Sequence, residues 1–385
     1  MSSADVILAL LVATAVSFDF TNGFHDTANA MATTIATGAL KPKLAVTIAA
    51  ALNFVGAFIS LKVAATIAGG IVDASVITPA VIFGGLMGAI AWNLATWWFG
   101  LPSSSSHALI GGIIGSTFVA AGSGAIETDG IISKVLVPAV ASPLVAGLIA
   151  ALGVYLVYRL IRRYKPERSE REFRWAQVAS SSMVALAHGT NDAQKTMGVI
   201  SLALISNGNL SGGAGFSVPD WVVIVCASAI ALGTYSGGWR IIQTLGTKVV
   251  EVRPPQGFGS EAVAATVILA SSHAGYPLST TQVVSGAVSG SGVGRPGAQV
   301  NWAVARRIVY GWLFTLPAAA AVGALAYGII DLLGGGVVGV AAMAAIGVIC
   351  AFSLWRANKA KAVEPEETIS ENPAFGPAPA IEVAA

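Results

Sequence analysis

The sequence predicts an all-α polytopic membrane protein with two inverted-topology repeats that contain discontinuous and re-entrant helices. Hydrophobic residues make up 55% of the 385 residues and charged residues only 10%, whereas a soluble domain carries about 25% charged residues. Two polar motifs of the first half recur in the second half. Two apolar regions, residues 100–121 and 262–292, are interrupted by Pro, Ser, Thr and Gly, as in helices that break within a bilayer.

The first polar motif lies inside the first apolar segment. Residues 22–30 contain an Asp and a His, and residues 189–197 repeat the pattern, so that Asp26 aligns with Asp192. Ionisable residues inside a membrane are rare, and they usually face a cavity or mark an ion or substrate path. We therefore expect the two motifs to bind an ion. The candidate ligands are Asn22, Asp26, Asn29, Asn191 and Asp192.

The carboxylate and amide oxygens of these motifs are hard ligands, which suit sodium, a divalent cation or a proton. The alternative is that Asp and Asn cap a break in each helix. Lys195 occupies the position that aligns with Asn29. It either forms a salt bridge with an Asp or helps to hold an anion.

The second polar motif combines a proline with a run of hydroxyl residues and a following apolar stretch. Pro102 aligns with Pro277, and small residues follow at the same offset, with Gly111 on Gly286. This pattern predicts the N-terminus of a half-helix, where unpaired N–H groups and the helix dipole favour an oxyanion. The alternative is ordinary helix capping. The candidate anion ligands are Ser104, Ser105, Ser106, Ser279, Thr280 and Thr281.

All four histidines of the chain lie in or beside these motifs. Because an unperturbed histidine titrates near neutral pH, a role in proton handling is one interpretation. Packing beside polar breaks is the other. The four histidines are His25, His107, His188 and His273.

The distribution of charge predicts the boundaries of the repeats. The first repeat covers residues 1–158 and the second residues 178–354. A basic connector, 159–177, joins them and should be cytoplasmic, as should a disordered tail at 355–385. Residues 44–68 are apolar enough to form a single span. A multi-pass protein of the cell membrane is expected.

At these residues the chain resembles the inorganic phosphate transporter (Pit) family, in its bacterial low-affinity form. The resemblance covers nearly the whole membrane part and includes residues 238–246. It implies that the hydroxyl motifs bind phosphate and that the Asp motifs bind a coupling ion, with Glu261 as a further acid. Sodium-coupled members carry a Glu where this chain has Asn53, and the His25–Asp26 pair is typical of members that use protons.

The prediction is therefore a secondary active transporter that takes up inorganic phosphate, free or as a metal–phosphate complex. Uptake would proceed by cation symport and alternating access, with a proton favoured over sodium. A sodium symporter and a sulfate permease on the same scaffold are the alternatives. An intramembrane hydrolase is disfavoured because each motif recurs, and a membrane sensor because no sizeable soluble domain is present. No enzyme activity, cofactor, resident metal or nucleic-acid partner is expected, while a homodimer is left open.

Overall fold

The computed structural model describes residues 2–69, 77–162, 166–212, 217–359 and 363–369, and these residues are almost entirely helical. One isolated bridge between Val250 and Val300 is the sole β contact within them. The helices are α1 Ser3–Ala36, α2 Pro42–Gly56, α3 Lys62–Gly69, α4 Pro79–Trp98, α5 Ser105–Ala121, α6 Thr128–Ile131, α7 Val137–Ile161, α8 Pro166–Ser206, α9 Asp220–Ser236, α10 Trp239–Gln243, α11 Pro254–Ala274, α12 Thr280–Gly294, α13 Trp302–Leu332 and α14 Val337–Lys359.

Five of the described helices are long and apolar enough to cross a membrane, which confirms the predicted membrane protein. They begin at Ser3, Pro79, Thr128, Trp302 and Val337, the third running through α6, a π-helical turn and α7. A sixth crossing is formed if Asp220–Ser236 and Trp239–Lys248 count as one span, bent by 64°. Leucines and valines on these helices are widely exposed, as expected where lipid replaces water.

Both predicted broken elements are present. The first consists of α4 and α5, separated by residues 99–104, and the second of α11 and α12, separated by residues 275–279. With 17 and 15 residues, α5 and α12 are too short to cross a bilayer alone, which takes about 20 residues. They are therefore half-helices, each entered through the proline and hydroxyl motif.

Two boundaries differ from the sequence prediction. The expected single span at 44–68 is divided into α2 and α3, because the chain leaves the helix after Gly56. The carbonyl oxygen of Gly56 accepts a hydrogen bond from Thr190 Oγ1 at 2.9 Å, a tertiary contact that hydropathy does not reveal. In addition, α8 begins at Pro166, inside the predicted connector. The Glu and Arg residues there are good helix formers.

Glycines bring the half-helices against their neighbours in corresponding ways. A β-carbon at Gly111 of α5 would overlap the carbonyl oxygen of Leu316 in α13, and one at Gly286 of α12 would overlap that of Pro143 in α7. The two glycines align in the sequence. Likewise α1 packs on α9 while α8 packs on α2. The halves thus repeat each other's contacts, and their inverted orientation stays a prediction.

Candidate functional site

The two aspartates of the polar motifs lie within uninterrupted helices. Asp26 is inside α1 and Asp192 inside α8, each many residues from a helix end. Capping of a helix break therefore does not explain them. Both side chains are at most 1% exposed. Placing a carboxylate in the middle of a membrane helix is costly unless it has partners, and these come from the half-helices and from α1 and α8 themselves.

Of the three aligned hydroxyls in the half-helix motifs, Ser104–Ser106 and Ser279–Thr281, the first caps its own helix in each half. Ser104 Oγ accepts a hydrogen bond from the backbone N–H of His107 at 3.1 Å, and Ser279 Oγ accepts one from the N–H of Gln282 at 3.3 Å. The capping alternative thus describes these two serines. Each cap holds the first turn of its half-helix, where the next backbone N–H groups have no partner within the helix.

The second hydroxyl of each motif points at an aspartate. Ser105 Oγ donates to Asp26 Oδ2 at 2.7 Å, and Thr280 Oγ1 approaches Asp192 Oδ2 at 3.5 Å. These two pairs align with each other in the sequence, so the repeat relates them. Each carboxylate is therefore bound to the half-helix end of its own half of the chain.

The third hydroxyl of each motif contacts the other half of the chain. Lys195 Nζ donates to Ser106 Oγ, and Asn29 Nδ2 donates to Thr281 Oγ1 at 3.0 Å. Lys195 also binds Asp192 Oδ1 at 2.8 Å and the carbonyl oxygen of Leu278 at 2.9 Å. The salt bridge expected as one role of this lysine is therefore present. Its ammonium also reaches the hydroxyl motif at Ser106, and its part in holding an anion stays a prediction.

Two histidines belong to this centre. His25 Nδ1 lies 2.7 Å from Asp26 Oδ1, and its Nε2 lies 3.0 Å from Thr96 Oγ1. His188 Nε2 lies between the carboxylates, 3.8 Å from Asp26 Oδ2 and 3.6 Å from Asp192 Oδ2. One ligand atom from each of His188, Asp26 and Asp192 lies within 4.8 Å of the others, so that a single proton or small transported cation could be shared among them.

The orientation of His188 is fixed through a chain of hydrogen bonds. Thr234 Oγ1 donates to the carbonyl oxygen of Ile230 at 2.8 Å, so it accepts from Asn53 Nδ2 at 2.7 Å. The amide oxygen of Asn53 then faces His188 Nδ1 at 3.2 Å, which must donate. In a neutral ring His188 Nε2 is consequently the nitrogen with a free lone pair, and it faces the carboxylates.

The centre is closed to solvent on all sides. Each of its hydroxyl, carboxylate, histidine and lysine side chains named above is at most 3% exposed. Within the centre, the positive ends of two half-helices and one ammonium group lie beside two carboxylates. Such an arrangement suits an oxyanion that enters together with a positive charge.

Residues 22–323 match the phosphate transporter family. The chain belongs to this family. It is 58% identical over 330 residues to a probable low-affinity inorganic phosphate transporter of Mycobacterium bovis, which covers 86% of this chain and 79% of that protein. A relative of the same description in Rhizobium meliloti is 46% identical over 328 residues, covering 85% and 97%.

A solved structure described as "The sodium-dependent phosphate transporter" has a similar fold. Its TM-score is 0.75 at 26% identity, and the likeness covers 85% of this chain and 99% of that chain. This phosphate transporter family member is thus a membrane transporter and not an enzyme. Phosphate is the substrate that family membership supports, and the resemblance drawn from the motifs is confirmed.

Three predicted site residues of this phosphate transporter family member contact neither carboxylate of the centre by a hydrogen bond among the described residues. His273 is exposed near the end of α11, where its backbone carbonyl accepts from Lys62 Nζ at 2.9 Å. His107 lines an apolar cavity together with Gln282. Asn191 Nδ2 donates to Ser272 Oγ at 2.8 Å. No proton-handling role follows from these positions for His107 or His273.

Glu261 lies in a separate polar cluster. Its carboxylate accepts hydrogen bonds from Thr33 Oγ1, from Thr34 Oγ1 at 2.7 Å, from Gln177 Nε2 at 3.2 Å and from Ser180 Oγ at 2.7 Å. Sequence patterns alone missed the contact between Gln177 and Glu261, because Gln177 falls in the predicted connector although it is fully buried. The serines that follow Gln177 in the sequence, Ser180 among them, are a pattern that could have indicated a polar cluster there.

Proposed function

We propose that this chain is a secondary active transporter that carries inorganic phosphate together with a proton by alternating access. The observation that carries the proposal is the meeting of two half-helix ends with two carboxylates. Ser105 and Thr280, which approach the carboxylates in the closed state, are equally able to donate to a phosphate oxygen. Backbone N–H groups of the first helical turns and the Lys195 ammonium supply further donors.

Coupling follows from electrostatics. A phosphate held by these hydroxyls would lie next to Asp26 and Asp192, and like charges at such distances in a buried site strongly disfavour each other. A positive charge must therefore enter with phosphate. His188, whose Nε2 faces both carboxylates, and His25, bonded to Asp26, give a proton several acceptors.

The closed centre supports alternating access. Its side chains are almost fully buried, so phosphate can enter or leave only if helices move. The half-helices contact their neighbours through glycines at corresponding places in the two halves, a packing in which one half can open on one side and the other half on the opposite side. Orientation is part of the proposal: the basic connector that includes Arg159 and Arg162 would be cytoplasmic.

Sodium is the second candidate cation. The specific observation in its favour is the similar solved structure, whose description names a sodium-dependent phosphate transporter. Asn53 in place of a Glu, and its hydrogen bond to His188, favour the proton instead.

Proteoliposomes test the proposal, because pH and sodium gradients can be imposed on them separately. We expect accumulation of labelled phosphate with an inward proton gradient at equal sodium, and none in Asp26→Asn or Asp192→Asn protein. Accumulation driven by a sodium gradient alone would make sodium the coupling ion instead of the proton. Transport by either Asn variant would contradict a coupling role for Asp26 or Asp192. Adding or removing magnesium in the same assay distinguishes free phosphate from a metal–phosphate complex, and excess sulfate tests selectivity.

A further inference from the structure

A carboxyl that the centre does not use is buried on α1. Asp19 is 0% exposed, and neither of its carboxylate oxygens makes a hydrogen bond. Three other acidic side chains are buried in the described residues. Asp26, Asp192 and Glu261 all have bonded oxygens. Asp19 is therefore the exception among the buried acids that the structure describes.

Other polar atoms without hydrogen bonds surround this carboxyl. The side chains that act on Asp19 are those of Thr196 and Asn22, then the charged pair Asp192 and Lys195, and the thiol of Cys226 on α9. Like the Asp19 oxygens, Thr196 Oγ1 and Asn22 Oδ1 make no hydrogen bond in the described chain. Carboxylate, amide and hydroxyl oxygens thus gather between α1 and α8 without forming a hydrogen bond in the described chain.

An ionised carboxylate in such surroundings is destabilised, because burial removes water and no neighbouring donor forms a hydrogen bond with the carboxylate in the described chain. The side chain is stable only with a positive charge bound to it, either a proton on the carboxylate or a cation held by the surrounding oxygens. Acidic side chains inside membrane proteins commonly serve ion pathways for this reason.

The position of Asp19 places it on one side of the centre. It precedes Asp26 by seven residues, which is two helical turns and about 10 Å along α1, so both carboxyls are on one face of the helix. Thr196 follows Asp192 by one turn on α8. Thr33, which binds Glu261, lies seven residues beyond Asp26. Asp19 and Glu261 therefore flank the centre on opposite sides along α1.

We propose that Asp19 is a second cation site of the transport cycle, with Asn22 and Thr196 as neighbouring oxygen ligands. It binds the coupling cation, a proton in the cycle proposed above, on the path between the membrane face where α1 begins and the central carboxylates. The proposal rests on the proposed function only in requiring a coupling cation.

Asp19→Asn tests this site, because an amide resembles the proton-bound carboxyl in shape and lack of charge. Two assays on the same proteoliposomes are compared, namely accumulation driven by the gradient that drives the wild type, and exchange of labelled for unlabelled phosphate at equal concentrations. We expect accumulation to fall at least about tenfold while exchange stays within about twofold, since exchange needs no net cation movement. Asp331→Asn, an exposed acid at the end of α13, is the matched control.

Asp19→Glu separates the loss of the cation site from a folding defect, and we expect it to recover accumulation. Wild-type accumulation by Asp19→Asn would overturn the proposal, and so would a parallel loss of exchange, which would make Asp19 part of phosphate binding or of the fold. If the proposed function itself is wrong, the wild type responds to neither gradient, so the two failures are distinguishable.

Discussion

Asn53 Oδ1 lies 3.2 Å from His188 Nδ1 and thereby decides which nitrogen of that ring faces Asp26 and Asp192. The amide is itself held by Thr234. Asn53 thus belongs to the machinery of the centre without touching a carboxylate. A carboxylate at this position would favour a doubly protonated ring instead.

We expect Asn53→Ala to lower proton-driven phosphate uptake about tenfold, which corresponds to losing one buried hydrogen bond of about 1.4 kcal/mol. His188 would lose its fixed orientation, so the pH dependence of uptake should change as well. Initial rates of labelled phosphate uptake across a pH series measure both effects. Asn301→Ala is the matched control, because that side chain caps α13. An unaltered pH profile in Asn53→Ala would refute the orienting role.

The sequence predicted the half-helices and their hydroxyls because their signals are local. A proline, hydroxyls and small residues follow one another at Pro102 and again at Pro277, and local patterns of this kind determine helix starts. The pairing of Asp26 with Asp192 was likewise readable from the repeat. The structure brings Ser105 to Asp26 and Thr280 to Asp192, as the aligned motifs suggest. Their roles in binding phosphate and a coupling ion stay predictions.

Other features depend on tertiary contacts that no local pattern contains. The break after Gly56 reflects a hydrogen bond from Thr190. Gln177 reaches Glu261 because α8 starts earlier than charge patterning suggested. The exposure of His273 near the end of α11 could not be predicted either, because it depends on how α11 packs rather than on proximity to a motif.

The serines of the first half-helix motif should separate into a cap and a ligand. Ser104→Ala should lower stability by about 0.5–2 kcal/mol through loss of the helix cap, with a small effect on the apparent affinity for phosphate. Ser105→Ala should chiefly raise the KM for phosphate. Thermal unfolding in detergent and uptake kinetics on both variants test this division. Equal effects on KM would show that Ser104 also contacts the substrate.

The repeat makes a matching prediction for the second half. Thr280→Val should raise the KM about as much as Ser105→Ala, because the two hydroxyls are equivalent in the motifs and each approaches an aspartate. The double variant Ser105→Ala/Thr280→Val should have a higher KM for phosphate than either single variant. A change confined to one of the two sites would indicate that phosphate binds to one half-helix end alone.

The pair formed by Lys195 and Asp192 is expected to show strong non-additivity. Lys195→Met leaves Asp192 without its 2.8 Å partner, and breaking one side of a buried pair costs about 3–5 kcal/mol. Combining Lys195→Met with Asp192→Asn removes both charges and should recover most of that stability while phosphate uptake stays absent. Thermal unfolding and uptake are measured for Lys195→Met, Asp192→Asn, the double variant and the wild type, which together form a double-mutant cycle. Additive stability losses would contradict direct pairing.

Close packing of the half-helices predicts that their aligned glycines tolerate no side chain. A β-carbon at Gly111 or Gly286 would overlap a backbone carbonyl oxygen of the neighbouring helix, and because backbone cannot yield as a flexible side chain can, Gly→Ala at either should cost about 1–3 kcal/mol. Gly153→Ala on α7 is the matched control. A β-carbon at Gly153 would have no neighbouring atom within 4 Å among the described residues, so helix propensity alone should stabilise that variant by about 0.5–1 kcal/mol. Thermal unfolding of the three variants and the wild type in one detergent tests this prediction. A Gly111→Ala protein as stable as the wild type would disprove the close contact between α5 and α13.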